Sequence, residues 1–302
     1  MAEHYPRLRV PSLKGHFLLK EILTCTFFMR RSHAEISQCI QRALAHYLHA
    51  VGHHSLAFFD DHEGDWQPLD AQGWAIVQQE LSNPRRAFVA LEGAQDDPHG
   101  YRFNYQGKLL EAPFLENQPG AVSAVSFSLP TQYLEKHGPQ RVRGLAMELA
   151  TLLPFCSGHV GLSFNLGTGL TGVDDDLRKL YFRYPGIDVP NLDWLSLHVG
   201  TQVRGPSWLT FLGQPVLGEL GGVAGLRAQL HTPGTSVQEL DGDRAVVSLG
   251  EWPEAGDTEQ GCVLPEYREL ARVLEPWLFH EPQLHASTPL RDIRRWERRF
   301  LD

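Results

Sequence analysis

Three histidines, His46, His49 and His53, recur at i, i+3 and i+7, with His54 and His62 close by. Metal ligation at such a spacing needs neutral imidazoles that converge, each oriented by an outer acceptor. The neighbouring apolar residues decide against convergence. Ile36, Ile40, Ala43, Leu44, Tyr47 and Val51 form a stripe at helical spacing, which turns His46 and His49 to the opposite, wet face beside Glu35 and Arg42. Histidine near a helix C-terminus is also favoured electrostatically without any metal. There is no H-E-x-x-H, so no metal is expected; a metal-dependent hydrolase built on His46, His49 and His53 stands as the alternative reading. A second motif, Gly167-Thr-Gly169-Leu-Thr-Gly172, follows a strand-like run and precedes a helix-like one, the context of a dinucleotide fingerprint. Asp174, Asp175 and Asp176 come next, where a pyrophosphate would have to sit. Three fixed carboxylates already fill that role at the helix start, so the motif reads as a glycine-rich turn and no cofactor is expected.

The remaining constellations fail on single positions. Asp61, Glu63 and Asp65 imitate the opening of a calcium loop, but Trp66 stands where glycine is needed and Gln72 where a bidentate glutamate is needed. Cys156-Ser157-Gly158-His159 brings a thiol near an imidazole with no activating carboxylate placed by the sequence. Gly161-Leu-Ser163 lacks the second glycine of a nucleophile elbow, since residue 165 is Asn. No enzyme is supported. What is left is acid: Asp60, Asp61, Glu63 and Asp65 beside Trp66; Asp96 and Asp97; Asp174, Asp175 and Asp176; and Glu251 and Glu254 around Trp252, followed by Asp257 and Glu259. Acidic groups around aromatic anchors suit capture of a basic partner, because charge steers the encounter and Trp supplies a hot spot. By composition alone, solubility would explain acidic turns equally well.

The elements that must carry these groups follow from periodicity. A strand is predicted over 22–29, then a helix opened by Ser32 with Glu35 at capping-box spacing and ended by Gly52. A short strand over 56–59 runs into the acidic turn, and a helix follows over 71–81. Strands are predicted over 86–92, 101–105, 121–129, 159–166, 194–199, 208–212 and 245–249, and helices over 139–153, 174–183, 223–230, 265–278 and 289–301. Strands cluster in twos between helices, an α+β pattern of mostly antiparallel sheets flanked by helices. A strand–helix–strand–strand order in both halves suggests two related lobes, 19–130 and 131–285, between an N-terminal arm, 1–18, and an arginine-rich C-terminal helix, 286–302.

Charge is uneven along the 302 residues. Residues 1–20 carry +3 and 287–302 carry +2, while the 266 between them hold 18 basic and 32 acidic side chains, a net of −14. Such a body repels a phosphate backbone and argues against direct nucleic-acid binding. The first apolar run is cut by Lys20 and Glu21, and the most apolar later window, 144–164, contains Glu148, Pro154 and His159, so neither a signal peptide nor a membrane span is expected. Cys25, Cys39, Cys156 and Cys262 are scattered, as reduced cysteines of a cytoplasmic protein are.

The stretch YPGIDVP at 184–190, WLTFLG at 208–213 and Leu220-Gly221-Gly222 resembles the signature of the type VI secretion immunity family, and the strand HVGLSFN and the helix before RYPGIDVP sit where that family has them. The likeness covers most of residues 20–280. It implies a cytoplasmic antidote that binds a nuclease effector of the VRR-NUC or a related restriction-endonuclease-like class, one to one and without catalysis. Pro185, Gly186, Pro190, Gly213, Gly221 and Gly222 are turn and backbone-geometry residues and read as structural. Contact with the toxin is expected of the acidic loops instead.

Overall fold

The computed structural model describes residues 4–11, 17–61, 63–93, 100–166, 174–189, 191–280 and 290–302. Its elements run β1 (Arg9–Pro11), β2 (Phe17–Met29), α1 (His33–Val51), β3 (Phe58–Asp60), β4 (Trp66–Pro68), α2 (Ala71–Leu81), β5 (Ala87–Glu92), β6 (Arg102–Gly107), β7 (Ser123–Pro130), α3 (Thr131–His137), α4 (Pro139–Leu152) and β8 (Ser157–Leu166). There follow α5 (Asp174–Arg183), α6 (Leu192–His198), β9 (Leu209–Leu212), α7 (Val216–Glu219), α8 (Gly222–Gln229), β10 (Thr235–Asp241), β11 (Arg244–Leu249), α9 (Pro265–Leu274) and α10 (Leu290–Glu297). The strands form one sheet in the order β10-β11-β9-β8-β2-β7-β6-β5-β3-β4, with β1 added to the start of β2 and every paired strand antiparallel. The fold is α+β.

The centre of the sheet follows from the composition of β2. FLLKEILTCTFFM is β-branched and aromatic, and pairs with β7 over Ile22–Met29 and with β8 over Leu19–Phe28. Alternate residues Leu23, Cys25, Phe27 and Met29 face a core that α1 closes with Ile36, Ile40, Leu44 and Tyr47, and α4 with Val142, Leu145 and Leu149. The other face carries Thr24, Thr26, Ser126 and Ser163, whose hydroxyls satisfy one another in the pairs Thr24–Ser163 at 2.7 Å and Thr26–Ser126 at 2.9 Å. α6 covers part of this second face, its Leu195 packing with Phe28, Val122 and Ala124. Burial on both faces is why β2 and β7 read as almost continuous apolar and small-residue runs.

α1 begins as its sequence dictates. The Glu35 carboxylate accepts the Ser32 N–H at 2.8 Å, and the Ser32 hydroxyl accepts the Leu110 N–H and donates to Glu111. The segment 194–199, expected as a strand, is instead the helix α6. Its sequence alternates, but Asn191 accepts the Trp194 N–H at 3.1 Å and Asp193 sits in the first turn, so cap chemistry overrides a period-two pattern in a run this short. The strands on 19–130 and those on 131–285 meet where β2 pairs with β8. Just past α10, two arginines dock on the protein's own groups: Arg298 pairs with Asp302 and Glu275, and Arg299 donates to the Pro185 carbonyl at 2.9 Å.

Gly186 shows how tightly this corner is packed. A Cβ there would lie 2.0 Å from the Glu254 carbonyl and 2.9 Å from that of Ala255. Gly186→Ala is expected to cost about 1–3 kcal/mol, because backbone on both sides must move. Urea denaturation checks it, and an unchanged midpoint would show that the segment yields freely.

Candidate partner-binding surface

The acidic turn is a hairpin at one end of the sheet. β3 and β4 pair with Asp60 opposite Trp66, and the turn between them is organised by Asp61. Its carboxylate accepts the Glu63 and Asp65 N–H groups at 3.0 and 3.2 Å and the Gln67 side-chain amide at 2.8 Å. These donors, Gln67 foremost, hold the Asp61 carboxyl below its usual range. Asp61 therefore shapes the loop, while Glu63 and Asp65 are exposed and Asp60 is half-buried. Trp66 is 42% exposed, unusual for so large a ring.

Behind the hairpin lies a cavity of about 440 Å³ between β5 and α2. Phe59, Pro68, Ile76 and Phe88 give it an apolar lining, and Asp60, Asp61, Asp70 and Glu80 reach its walls. Besides Asp61, which organises the hairpin turn, two of these carboxylates already serve the fold. Asp70 caps α2 by accepting the Gln72 and Gly73 N–H groups, both at 2.9 Å, and Glu80 accepts the Phe88 N–H at 3.0 Å. Helix and hairpin can come this close because residue 73 is glycine: a Cβ there would meet the Pro68 carbonyl at 2.5 Å.

The other acidic groups lie elsewhere. Glu251, Trp252 and Glu254 follow β11, far across the sheet from the hairpin. The His4 ring stacks on Trp252 with centroids 5.2 Å apart, and its Nδ1 lies 2.5 Å from a Glu254 oxygen. Burial raises the Glu254 carboxyl, an effect the His4 contact opposes. Trp252 and Glu254 are thus engaged by the chain's own N-terminal residues, while Glu251 is exposed. Asp257 makes a two-pronged bond to Arg183 at 3.0 and 2.8 Å. Asp174, Asp175 and Asp176 open α5, and their side chains, with Asp96, Asp97, His62 and the Gly167–Gly172 turn, fall outside the described residues.

The sequence's reactive groups do not assemble. His46 Nε2 lies 2.8 Å from Glu148, while His49 and His53 are exposed, and the described residues contain no group of three or more His, Cys, Asp or Glu placed to hold a metal. The Cys156 thiol donates to the Phe28 carbonyl at 3.1 Å, and burial raises its pKa, the opposite of activation. Sequence reasoning missed one pair with nucleophile–base geometry: Lys108 Nζ donates to Ser196 Oγ at 2.5 Å, and burial pushes the amine down to about 8, against the pull of Asp193. Ser196 is wholly buried, so no substrate reaches it, and the bond ties α6 to the end of β6.

A buried ionic cluster, also missed, surrounds the YPGIDVP segment. Asp188 bridges to Ser163 beside β8, with its carboxylate 3.5 Å from Arg204 and 3.8 Å from His159. Arg204 and Arg299 lie over the Trp296 ring, 4.8 and 3.5 Å from its centroid. Burial would raise the Asp188 carboxyl, but Arg204, His159 and Arg299 carry it below its usual range. The motif therefore anchors the C-terminal helix and lies away from the acidic hairpin. A lone aspartate inside an apolar run was the signal available.

Fold and surface together define an α+β protein with an acidic, tryptophan-tipped edge and a carboxylate-walled cavity. The family model described as type VI immunity for VRR-NUC matches residues 39–300, and the chain belongs to that family. It is an immunity protein of the type VI secretion system. Among solved structures, the Pseudomonas aeruginosa T6SS protein PA0821 is similar, with a TM-score of 0.80 at 18% identity over 97% of this chain and 87% of that one; at that identity the likeness concerns the fold. No curated protein sequence matches this chain.

Proposed function

We propose that this protein works in the cytoplasm as a non-catalytic, one-to-one inhibitor of a VRR-NUC nuclease effector, covering the surface with which that nuclease holds DNA. Membership of the immunity family carries the reading. Charge supports it: a nuclease that grips a phosphate backbone needs a basic surface, and residues 21–286 here carry a net −14. Among the described residues, no helix is long and apolar enough to cross a membrane. Within the acidic body the hairpin offers the best contact, because Asp60, Glu63 and Asp65 stand around an exposed Trp66. Asp174, Asp175, Asp176 and Glu251 are secondary candidates, and Trp252 and Glu254 could take part only from beneath His4.

The test is inhibition of the VRR-NUC effector from the same genome. DNA cleavage is expected to stop at one equivalent of this protein and to persist with an unrelated acidic protein. Joint Asp60→Lys and Asp65→Lys substitution should slow association about tenfold at low salt, with the difference shrinking as salt screens the charges. Cleavage that continues in the presence of several equivalents would refute the reading.

A further inference from the structure

Four large apolar side chains are exposed among the described residues: Trp66, Ile76, Phe114 and Val263. Ile76 borders the cavity between β5 and α2, and Trp66 is next to Gln67, which lines it. An exposed isoleucine on the rim of an apolar-floored cavity is poorly explained by folding, since its own burial is only about half complete at 46% exposure. The cavity exists because β3 leaves β5 early. Their pairing is Phe58 opposite Glu92 and Phe59 opposite Leu91, whereas β5 pairs with β6 all the way to Ala87. The freed edge does not invite a further strand, because Glu80 already takes the Phe88 N–H. What the cavity can take is a side chain.

Its walls specify which. Phe59, Ile76 and Phe88 would hold an apolar stem, while Asp60 and the Oδ2 of Asp61, which among the described residues accepts only the Gln67 amide, would meet a positive head. Arg86 lies 5.5 Å from the Phe88 ring centroid and already takes that ring, so a further cation is drawn to the hairpin's carboxylates. A planar guanidinium satisfies both demands, stacking on an aromatic face and binding carboxylates in pairs. On the immunity reading above, we infer that this cavity seats an arginine side chain of the VRR-NUC effector, making it the anchor of the complex.

Ile76→Arg tests this. The residue is exposed, so the fold should survive, and an unchanged thermal transition confirms it. The new guanidinium occupies the mouth of the cavity and repels the incoming one. Affinity for the VRR-NUC effector of the same genome, measured by calorimetry, is expected to fall about 30-fold or more, as for loss of an interface hot spot. Phe114→Arg, which adds the same charge at an exposed apolar residue away from the cavity, should leave affinity unchanged. Normal binding and inhibition by Ile76→Arg would overturn the cavity as anchor while leaving the immunity reading intact. Equal losses in both variants would overturn it too, since the effect would then come from added charge alone. Failure of the unaltered protein to bind or inhibit the nuclease would instead remove the reading on which the inference rests.

Discussion

Asp188→Ala is expected to remove about 3–5 kcal/mol of stability, the cost of stripping one partner from a buried ionic cluster. Asp188 is the carboxylate that Arg204 and His159 face at 3.5 and 3.8 Å, and the half-buried Arg299 also acts on it. Without it, two guanidiniums stacked on Trp296 would lose the carboxylate that acts on both of them in a low-dielectric corner. The loss should appear in guanidinium denaturation as a lower midpoint, with the C-terminal helix loosening first in hydrogen exchange, because Arg299 and Trp296 belong to that end of the chain. Asp188→Asn should cost less than alanine, since it keeps polar contact but drops the charge. A loss under about 1 kcal/mol for alanine would mean that Arg204 and Arg299 are compensated by something other than Asp188.

How far residue patterns reached into this fold depended on length and period. β2, α1, α4 and the β5–β6–β7 meander are long enough for their period to dominate, and their positions were legible. α6 was not, because seven residues of alternating Trp, Leu, Ser and His fit a strand until the Asn191 cap is considered. β10 was missed for the opposite reason: as an edge strand it is largely exposed, and Val237 and Leu240 alone among its residues are aliphatic. The acidic hairpin was legible as acid beside Trp66. The cavity behind it was not, since its walls come from β3, β4, α2 and β5 and no single segment announces it. Lys108 and Ser196 are 88 residues apart and meet only because α6 folds back over the sheet. Asp188 gave the same difficulty: its meaning depends on Arg204 and Arg299, which periodicity cannot place beside it.

The same cluster predicts a fold that starts to lose stability near pH 6.5, before its carboxylates titrate. Burial pushes His159 down to about 4 from an ordinary 6.5; Asp188 opposes that shift and Arg204 adds to it. Between those two pH values the unfolded chain binds a proton that the native imidazole refuses. Stability is therefore complete above about 6.5 and is lost as pH falls toward 4, by about 1.4 kcal/mol per unit and about 3 kcal/mol in all. Asp188 acts lower still, because its carboxyl is held below 3.8 and gives up its contribution only as pH falls through that depressed value. Glu92 and Glu254, whose carboxyls burial raises, slope the other way and would mask part of the effect. The informative quantity is the difference between the protein and His159→Gln, which keeps a polar side chain near Asp188 but cannot titrate. Guanidinium midpoints at pH 7, 6, 5 and 4 should converge for the two proteins as pH falls, since the variant's unfolded chain gains no proton at residue 159. Parallel curves would place the acid sensitivity elsewhere and show that His159 is protonated as readily in the folded protein as in the unfolded chain.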